Sequence, residues 1–202
     1  MRSSVKQKEV REAILDATDS LLSRYGYKKM TIDDLAKEVG IGKGSVYLHF
    51  TSKEEIVLSH IDRIIEQLKG KLSAIARSDE KPEQRLRKML RTRVLHRFES
   101  VQHYTQNLND LLAAIRPNFL ARRELYFTEE ARIFVSVIED GQRSGDFSTE
   151  AGAAEIAESM ILATNSLLPF NLTVQELGAR KDVETKIFRL ADLLLQGLCS
   201  RE

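Results

Sequence analysis

The segment from Thr31 to Lys53, TIDDLAKEVGIGKGSVYLHFTSK, constrains the fold of this chain more than any other stretch. Thr31 stands where a helix N-cap is expected, and Asp34 follows three residues later, as in a capping box. Gly40 follows the last apolar residue of this helix, where a left-handed backbone favours glycine. We therefore predict one helix from about Ile32 to Val39 and a second that begins after a glycine turn.

The second short helix is predicted from Lys43 to Phe50. Val46 and Phe50 are four residues apart and share an inward face, because side chains at this spacing lie above one another on a helix. The outward positions combine a cation, a glycine that permits close backbone approach, a hydroxyl, a phenol and an imidazole. These groups suit phosphate oxygens and base edges. They are Lys43, Gly44, Ser45, Tyr47 and His49.

A further helix is expected to begin at Lys53. Ser52 is placed as its N-cap and Glu55 as the third helical residue, which together form a capping box. The amide groups at this helix start, with Lys53, could hold an anion. Two helices joined by a glycine turn are also a common packing unit, so the segment alone leaves a purely structural role open.

The residues from Val10 to about Ile61 resemble the DNA-binding domain of the TetR family of bacterial transcriptional regulators. Several short motifs carry the resemblance in combination. They are Tyr25-Gly26-Tyr27, Met30-Thr31-Ile32, Ala36, Val39-Gly40-Ile41, Lys43-Gly44-Ser45-Val46-Tyr47-Leu48-His49-Phe50 and Ser52-Lys53-Glu54-Glu55.

The resemblance implies an all-α fold with two domains. Residues 1–52 would form a three-helix helix-turn-helix domain that binds DNA, and residues 53–202 a helical ligand-binding and dimerisation domain. A homodimer would place the second short helix of each subunit in a major groove of a palindromic operator. Base edges would be contacted by Lys43 and Ser45, and phosphates by Thr31, Tyr47, His49 and Lys53. A small-molecule effector would release the DNA, as expected of a repressor.

Composition favours a helical globular protein. Of the 202 residues, 42% are apolar, 30% are charged and only three are proline, while strand-like alternation is weak. No apolar run approaches the roughly 20 residues that span a bilayer, and the N-terminus lacks the apolar stretch of a signal peptide. We therefore expect no membrane partner and a cytoplasmic location.

Net charge argues against a broadly basic DNA-binding surface. The formal net charge is +1, and residues 1–60 hold ten Lys or Arg against nine Asp or Glu. Any nucleic-acid contact must therefore depend on locally placed cations, with modest non-specific affinity.

The remaining helices are expected to form the second domain. A long helix from Lys53 to about Ala76 precedes a basic one from Pro82 to Ser100, whose arginines indicate either a solvated face or an anion site for an acidic effector. A break is expected at Arg116-Pro117, before a helix over residues 119–143. The last two helices, over residues 151–168 and 183–198, are apolar enough to pair with a second copy, although a single stripe could also bury into its own domain.

An effector pocket between these helices would be lined by large apolar and polar side chains, the same types that fill a core. The candidates are Met89, Arg93, His96, Tyr104, Phe127, Phe134 and Met160.

Catalysis, cofactors and metals are not expected. Cys199 is the only cysteine, and His96, His103 and Asn107 supply too few converging ligands for a metal. Phosphate-binding glycine loops, nucleophile elbows and HExxH pairs are absent from the sequence. The alternative to a DNA-binding regulator is a helical small-molecule-binding protein or enzyme whose N-terminal unit is structural.

Overall fold

The structure, a computed structural model, describes residues 2–103, 108–172 and 174–198. Within these ranges the chain forms nine α-helices and no strand, which confirms the all-α prediction. In the same ranges, no helix has the length and apolar character required to cross a membrane. The helices are α1 (Arg2–Lys29), α2 (Ile32–Val39), α3 (Lys43–Tyr47), α4 (Lys53–Ala76), α5 (Pro82–Val101), α6 (Leu108–Ser144), α7 (Ala153–Asn165), α8 (Val174–Leu177) and α9 (Arg180–Gln196).

Packing divides the chain into two compact units. The N-terminal unit comprises Met1–Ile64 and Gln102–Leu120, and the C-terminal unit comprises Ile65–Val101 and Ala121–Glu202. The sequence places a functional boundary after residue 52, between the DNA-binding domain and the ligand-binding domain. That boundary stays a prediction.

Glycine interrupts α1 and ends α2, the second as the sequence predicts. Gly26 interrupts the helical backbone of α1 with a φ of 71°, and Gly40 follows α2 in the left-handed conformation, with φ 75° and ψ 33°. The amide of Ile41 donates to the carbonyl of Ala36 at 2.9 Å. This closes the last turn of α2 and reverses the chain towards α3.

Helix α3 is shorter than predicted. The α-helix spans Lys43–Tyr47, and Leu48 is its C-cap, so the prediction of a helix to Phe50 was wrong at its end. The amide of Phe50 still donates to the carbonyl of Val46 at 3.1 Å. The chain leaves the helix there because Phe50 is buried and Ser52 must cap α4, where its hydroxyl accepts from the amide of Glu55 at 3.0 Å.

The basic helix α5 does not present all its arginines to solvent. Arg85, Arg93 and Arg97 are buried, so a wholly solvated basic face is the wrong interpretation. Glu130 of α6, also buried, receives hydrogen bonds from the guanidinium groups of both Arg93 and Arg97. Burial in this apolar setting lowers the pKa of Arg93 to about 10.

Arg93 also donates to two residues of α7. Its Nη1 lies 2.6 Å from the hydroxyl of Thr164, and its Nη2 lies 2.7 Å from the side-chain oxygen of Asn165. The planar guanidinium thus connects α5, α6 and α7 inside the C-terminal unit, because its N–H groups point in fixed directions.

One further expectation fails in the C-terminal half. Helix α6 runs through Pro117 without the expected break at Arg116-Pro117. It does so although proline supplies no amide for the bond to the preceding turn. Part of the apolar stripe on the last helix packs inward, since Val183 and Ile187 of α9, and Leu198 after it, lie in the core of their own unit. Pairing of the last two helices with a second copy stays a prediction.

We predict that Gly40→Ala lowers the free energy of unfolding by about 1 kcal/mol, since a Cβ disfavours the left-handed backbone. A Cβ at Gly40 meets nothing within 4 Å, so the cost is conformational. Gly42→Ala is the matched control, because Gly42 has the same open surroundings and a φ of −74°. Urea denaturation measures the free energy of unfolding of both variants. Equal losses at the two sites would contradict a cost that arises from the left-handed backbone of Gly40.

We also predict that Glu130→Gln destabilises the protein by about 3–5 kcal/mol, because it leaves two buried guanidinium groups without a counter-charge. Glu158→Gln, at an exposed site on α7, is the control and should have little effect. Unfolding curves that coincide for the wild type and Glu130→Gln would show that Glu130 does not neutralise the pair.

Candidate nucleic-acid interface

Helix α3 is held from behind by buried apolar side chains. Val46 is completely buried and Phe50 nearly so, as the four-residue spacing predicts. The guanidinium of Arg11 on α1 lies 4.9 Å from the centre of the Phe50 ring, in a cation–π contact. A five-residue helix cannot be stable alone, so this packing determines its position.

The outward side of residues 42–49, here named the α3 surface, is open to close approach. A Cβ added at Gly42 or Gly44 would meet nothing within 4 Å. Residues 40–53 include two lysines and no acidic residue. The backbone of α3 can therefore come close to a flat, negatively charged partner without a steric clash and without repulsion from an acidic residue of its own segment.

Lys43 is exposed but not free of acidic contact. Its Nζ lies 2.7 Å from Oδ2 of Asp33 on α2, and this hydrogen bond raises the pKa of Lys43. Both side chains are more than half exposed. Exposed pairs of this kind are weak, so a phosphate or a base edge can compete with Asp33 for the ammonium group.

Three further predicted contacts lie on or beside α3. Tyr47 is 50% exposed and carries its phenol on the α3 surface. Ser45 and His49 are partly buried. The ring of His49 lies 6.5 Å from that of Phe50, tilted by 48°. Of the three, Tyr47 is the most accessible to a partner.

Thr31 uses its side chain within the protein. Its hydroxyl accepts from the amide of Asp34 at 3.1 Å and donates to Oδ2 of the same residue at 2.7 Å. The amide of Thr31 donates to that carboxylate at 3.0 Å, which completes the predicted capping box. Hydrogen bonds from Thr31 hold the pKa of Asp34 below its usual value. Thr31 thus serves first to start α2.

Lys53 connects the start of α4 to the end of α1. Its Nζ donates to the carbonyl oxygens of Tyr27 at 3.0 Å and Met30 at 3.1 Å. It also lies 4.4 Å from the centre of the Tyr27 ring. Burial lowers the pKa of Lys53. An ammonium group has three donors, so one remains for a phosphate after the two carbonyl bonds.

Leu48 is the most exposed large apolar side chain in the described part of the chain, at 83%. The sequence did not indicate Leu48 as a contact, because the predicted contacts were residues with hydrogen-bonding groups. Its signal was available in the spacing: Leu48 is four residues after Gly44, on the outward face. The amide of Leu48 donates to the carbonyl of Gly44 at 3.2 Å, which places both on one side of α3.

The predicted effector residues divide into core and groove positions. Met89, Phe134 and Met160 are buried in the hydrophobic core of the C-terminal unit, and Arg93 is buried beside Glu130. Tyr104 lies outside the described residues.

Two of these candidates line grooves in the C-terminal unit. Phe127 lines a groove of about 420 Å³ between α6 and α7, with Val135, Ile161 and Asn165 among its neighbours. The guanidinium carbon of Arg93 lies 5.3 Å from the centre of the Phe127 ring. His96 lines a second groove, where its Nδ1 lies 3.0 Å from Nζ of Lys71.

No group of three or more potential metal ligands occurs within residues 2–103, 108–172 and 174–198. Asn107 and Cys199, weighed in the sequence as a metal ligand and a lone thiol, lie outside those ranges.

Comparison with known proteins identifies the N-terminal region. The chain is 37% identical over 84 residues to an uncharacterised HTH-type transcriptional regulator of Lactococcus lactis, a match covering 41% of this chain and 43% of that protein. It is 27% identical over 143 residues to the HTH-type transcriptional repressor KstR2 of Rhodococcus jostii, covering 69% of each. The match thus spans less than half of the Lactococcus protein.

Among solved structures, a TetR-family transcriptional regulator from Pectobacterium atrosepticum superposes with a TM-score of 0.75 at 20% identity. The match covers 98% of this chain and 97% of that one, and it shows that the fold is shared. The family model for bacterial regulatory proteins of the tetR family matches residues 14–59, which contain α2, α3 and the start of α4. Residues 14–59 of this chain therefore form an N-terminal domain of the kind that defines the TetR family of bacterial regulatory proteins.

Proposed function

We propose that this protein is a ligand-responsive transcriptional repressor that binds a palindromic DNA operator as a homodimer in the cytoplasm. The observation that carries the proposal is the α3 surface. It is an exposed helix face without steric obstruction, held in place by Val46 and Phe50, and its Lys43 pairs with the exposed Asp33 of α2. A recognition helix in a major groove requires this combination of rigid support and open approach.

In this proposal each contact has a defined role. Lys43 and Ser45 approach base edges, and Gly44 lets the backbone come close. Tyr47 and His49 donate to phosphates, and Lys53 uses its third N–H together with the start of α4. Thr31 contributes its position at the start of α2, since its hydroxyl is engaged with Asp34. With so few cations, specificity depends on placement more than on total charge.

The proposed homodimer forms through α7 and α9. Leu162 on α7, and Phe188 and Leu193 on α9, are large apolar side chains exposed to solvent. Exposed apolar groups on consecutive terminal helices favour burial against a second copy, and a two-fold interface uses the same patch on both subunits. Two copies are needed to read two halves of a palindrome.

The proposed effector site is the groove lined by Phe127. Its exposed walls are mainly apolar, although Glu124, Arg132 and Glu158 also line it, and it lies between two helices of the C-terminal unit, as small-molecule sites in helical proteins commonly do. Helix α4 is one uninterrupted helix with residues in both compact units. An effector that shifts the C-terminal part of α4 would change the separation of the two DNA-contacting helices and reduce simultaneous engagement.

We predict that Tyr47→Phe weakens DNA binding about tenfold, because two copies each lose one hydrogen bond to phosphate. The duplex is first selected from a random pool by the wild-type protein, and affinity is measured by fluorescence anisotropy. Tyr25→Phe is the matched control, since Tyr25 is 48% exposed and lies in the same unit. If the wild type selects no duplex, or the two variants bind alike, the proposed contact fails.

We predict different outcomes for two lysines. Lys53→Met should lower the free energy of unfolding by about 1–2 kcal/mol, because its charged group bonds two carbonyls, and should also weaken DNA binding. Lys43→Met should weaken DNA binding and leave the unfolding midpoint unchanged, since its partner Asp33 is exposed. Urea denaturation and anisotropy separate the two effects. An unaltered midpoint for Lys53→Met would contradict its structural role.

A further inference from the structure

Leu48 is the most exposed large apolar side chain in the part of the chain that the structure describes. It lies at the C-cap of α3 and is 83% exposed, while Val46 and Phe50 on the other side of the same turn are buried. Its side chain therefore adds little to the core. Tyr47 beside it is half exposed, so the two consecutive residues form an amphipathic projection from the α3 surface.

Leu48 lies on the same side of α3 as Gly44, where a partner can come closest to the helix backbone. Leu48 and Gly44 are four residues apart on one side of α3 and are joined by a backbone hydrogen bond. Because Gly44 has no side chain and open surroundings, the helix can sit deep against a partner there. The next group along the same side is the isobutyl group of Leu48.

Among the base-edge groups in a DNA major groove, the C5-methyl of thymine is the apolar kind. The other groups on those edges are hydrogen-bond donors and acceptors, which a leucine cannot satisfy. The acid-free charge pattern of residues 40–53 favours DNA over an acidic or neutral protein surface as the partner of this side chain.

We propose that Leu48 is a specificity-determining residue that contacts a thymine methyl group in each operator half-site. This inference rests on the proposed DNA-binding function and extends it from general affinity to a sequence preference. The contact excludes water from both apolar groups and has no counterpart when the base is cytosine or a purine. It makes Leu48 a direct reader of sequence, whereas the cations around it hold the backbone.

The test removes thymine methyl groups from the DNA, one symmetric pair at a time. Duplexes selected by the wild-type protein are remade with deoxyuridine in place of thymine, one symmetric pair of positions at a time. Deoxyuridine keeps the base-pairing groups and lacks only the methyl. Wild-type affinity should fall about three- to tenfold at one pair of positions, as expected for one lost apolar contact in each half-site.

The same duplexes are then measured with Leu48→Ala in a double-mutant cycle. This variant should bind the thymine and deoxyuridine duplexes within about twofold of each other at that pair of positions, because the contact is already lost. Leu125→Ala, at another exposed leucine on α6, is the control and should keep the wild-type methyl dependence. The thermal midpoint of Leu48→Ala should match the wild type, since Leu48 is exposed.

Each outcome separates the inference from the proposed function. If the wild type selects no duplex, DNA binding itself is wrong. If DNA is bound but methyl removal has the same effect on the wild type and on Leu48→Ala at every position, the role of Leu48 is overturned and DNA binding stands. A uniform loss of affinity by Leu48→Ala on all duplexes would assign it to the sugar-phosphate backbone and also overturn the inference.

Discussion

The contact between Lys53 and the end of α1 is the interaction on which the proposed DNA-binding surface depends. The Lys53 ammonium group bonds the carbonyls of Tyr27 and Met30, at a point where Gly26 has interrupted α1. These carbonyls would otherwise lack intrahelical partners. By satisfying them, Lys53 joins the start of α4 to the start of the α2–α3 segment. Helix α3 is too short to hold its own position, so it takes its orientation from this frame and from Val46 and Phe50.

A near-neutral chain can recognise a polyanion if its few cations are well placed. Lys43 and Lys53 both have partners inside the protein, one an exposed carboxylate and the other a pair of carbonyls. Of the two, Lys53 is the more firmly held, which limits the side-chain entropy that it would lose on binding DNA. The same restraint predicts weak binding to unrelated sequences, because non-specific affinity scales with the number of neutralised phosphates. In the proposed complex, hydrogen-bonding and apolar groups such as Tyr47 and Leu48 would then account for more of the discrimination between DNA sequences.

Local backbone chemistry made much of the fold predictable. The bounds of α2 and α4 follow from Thr31, Gly40 and Ser52, because caps and left-handed glycines act within one helical turn. Tertiary packing decided what sequence reasoning missed. Arg93 appears solvated in a one-dimensional pattern and is buried, because Glu130, 37 residues away, supplies its counter-charge. Leu48 was not predicted as a contact, because the candidates were chosen for their hydrogen-bonding groups, although its spacing from Gly44 places it on the outward face.

In the proposed complex, two copies of the α3 surface act together on one DNA duplex. Sedimentation velocity of the protein with a duplex that it has selected tests this most directly, because the mass of the complex gives the number of chains per duplex. We predict a dimer in the absence of DNA and two chains bound to each palindromic duplex. Leu193→Glu should shift the free protein towards monomer. A complex with one chain per duplex, or a monomer that binds the full palindrome with undiminished affinity, would contradict it.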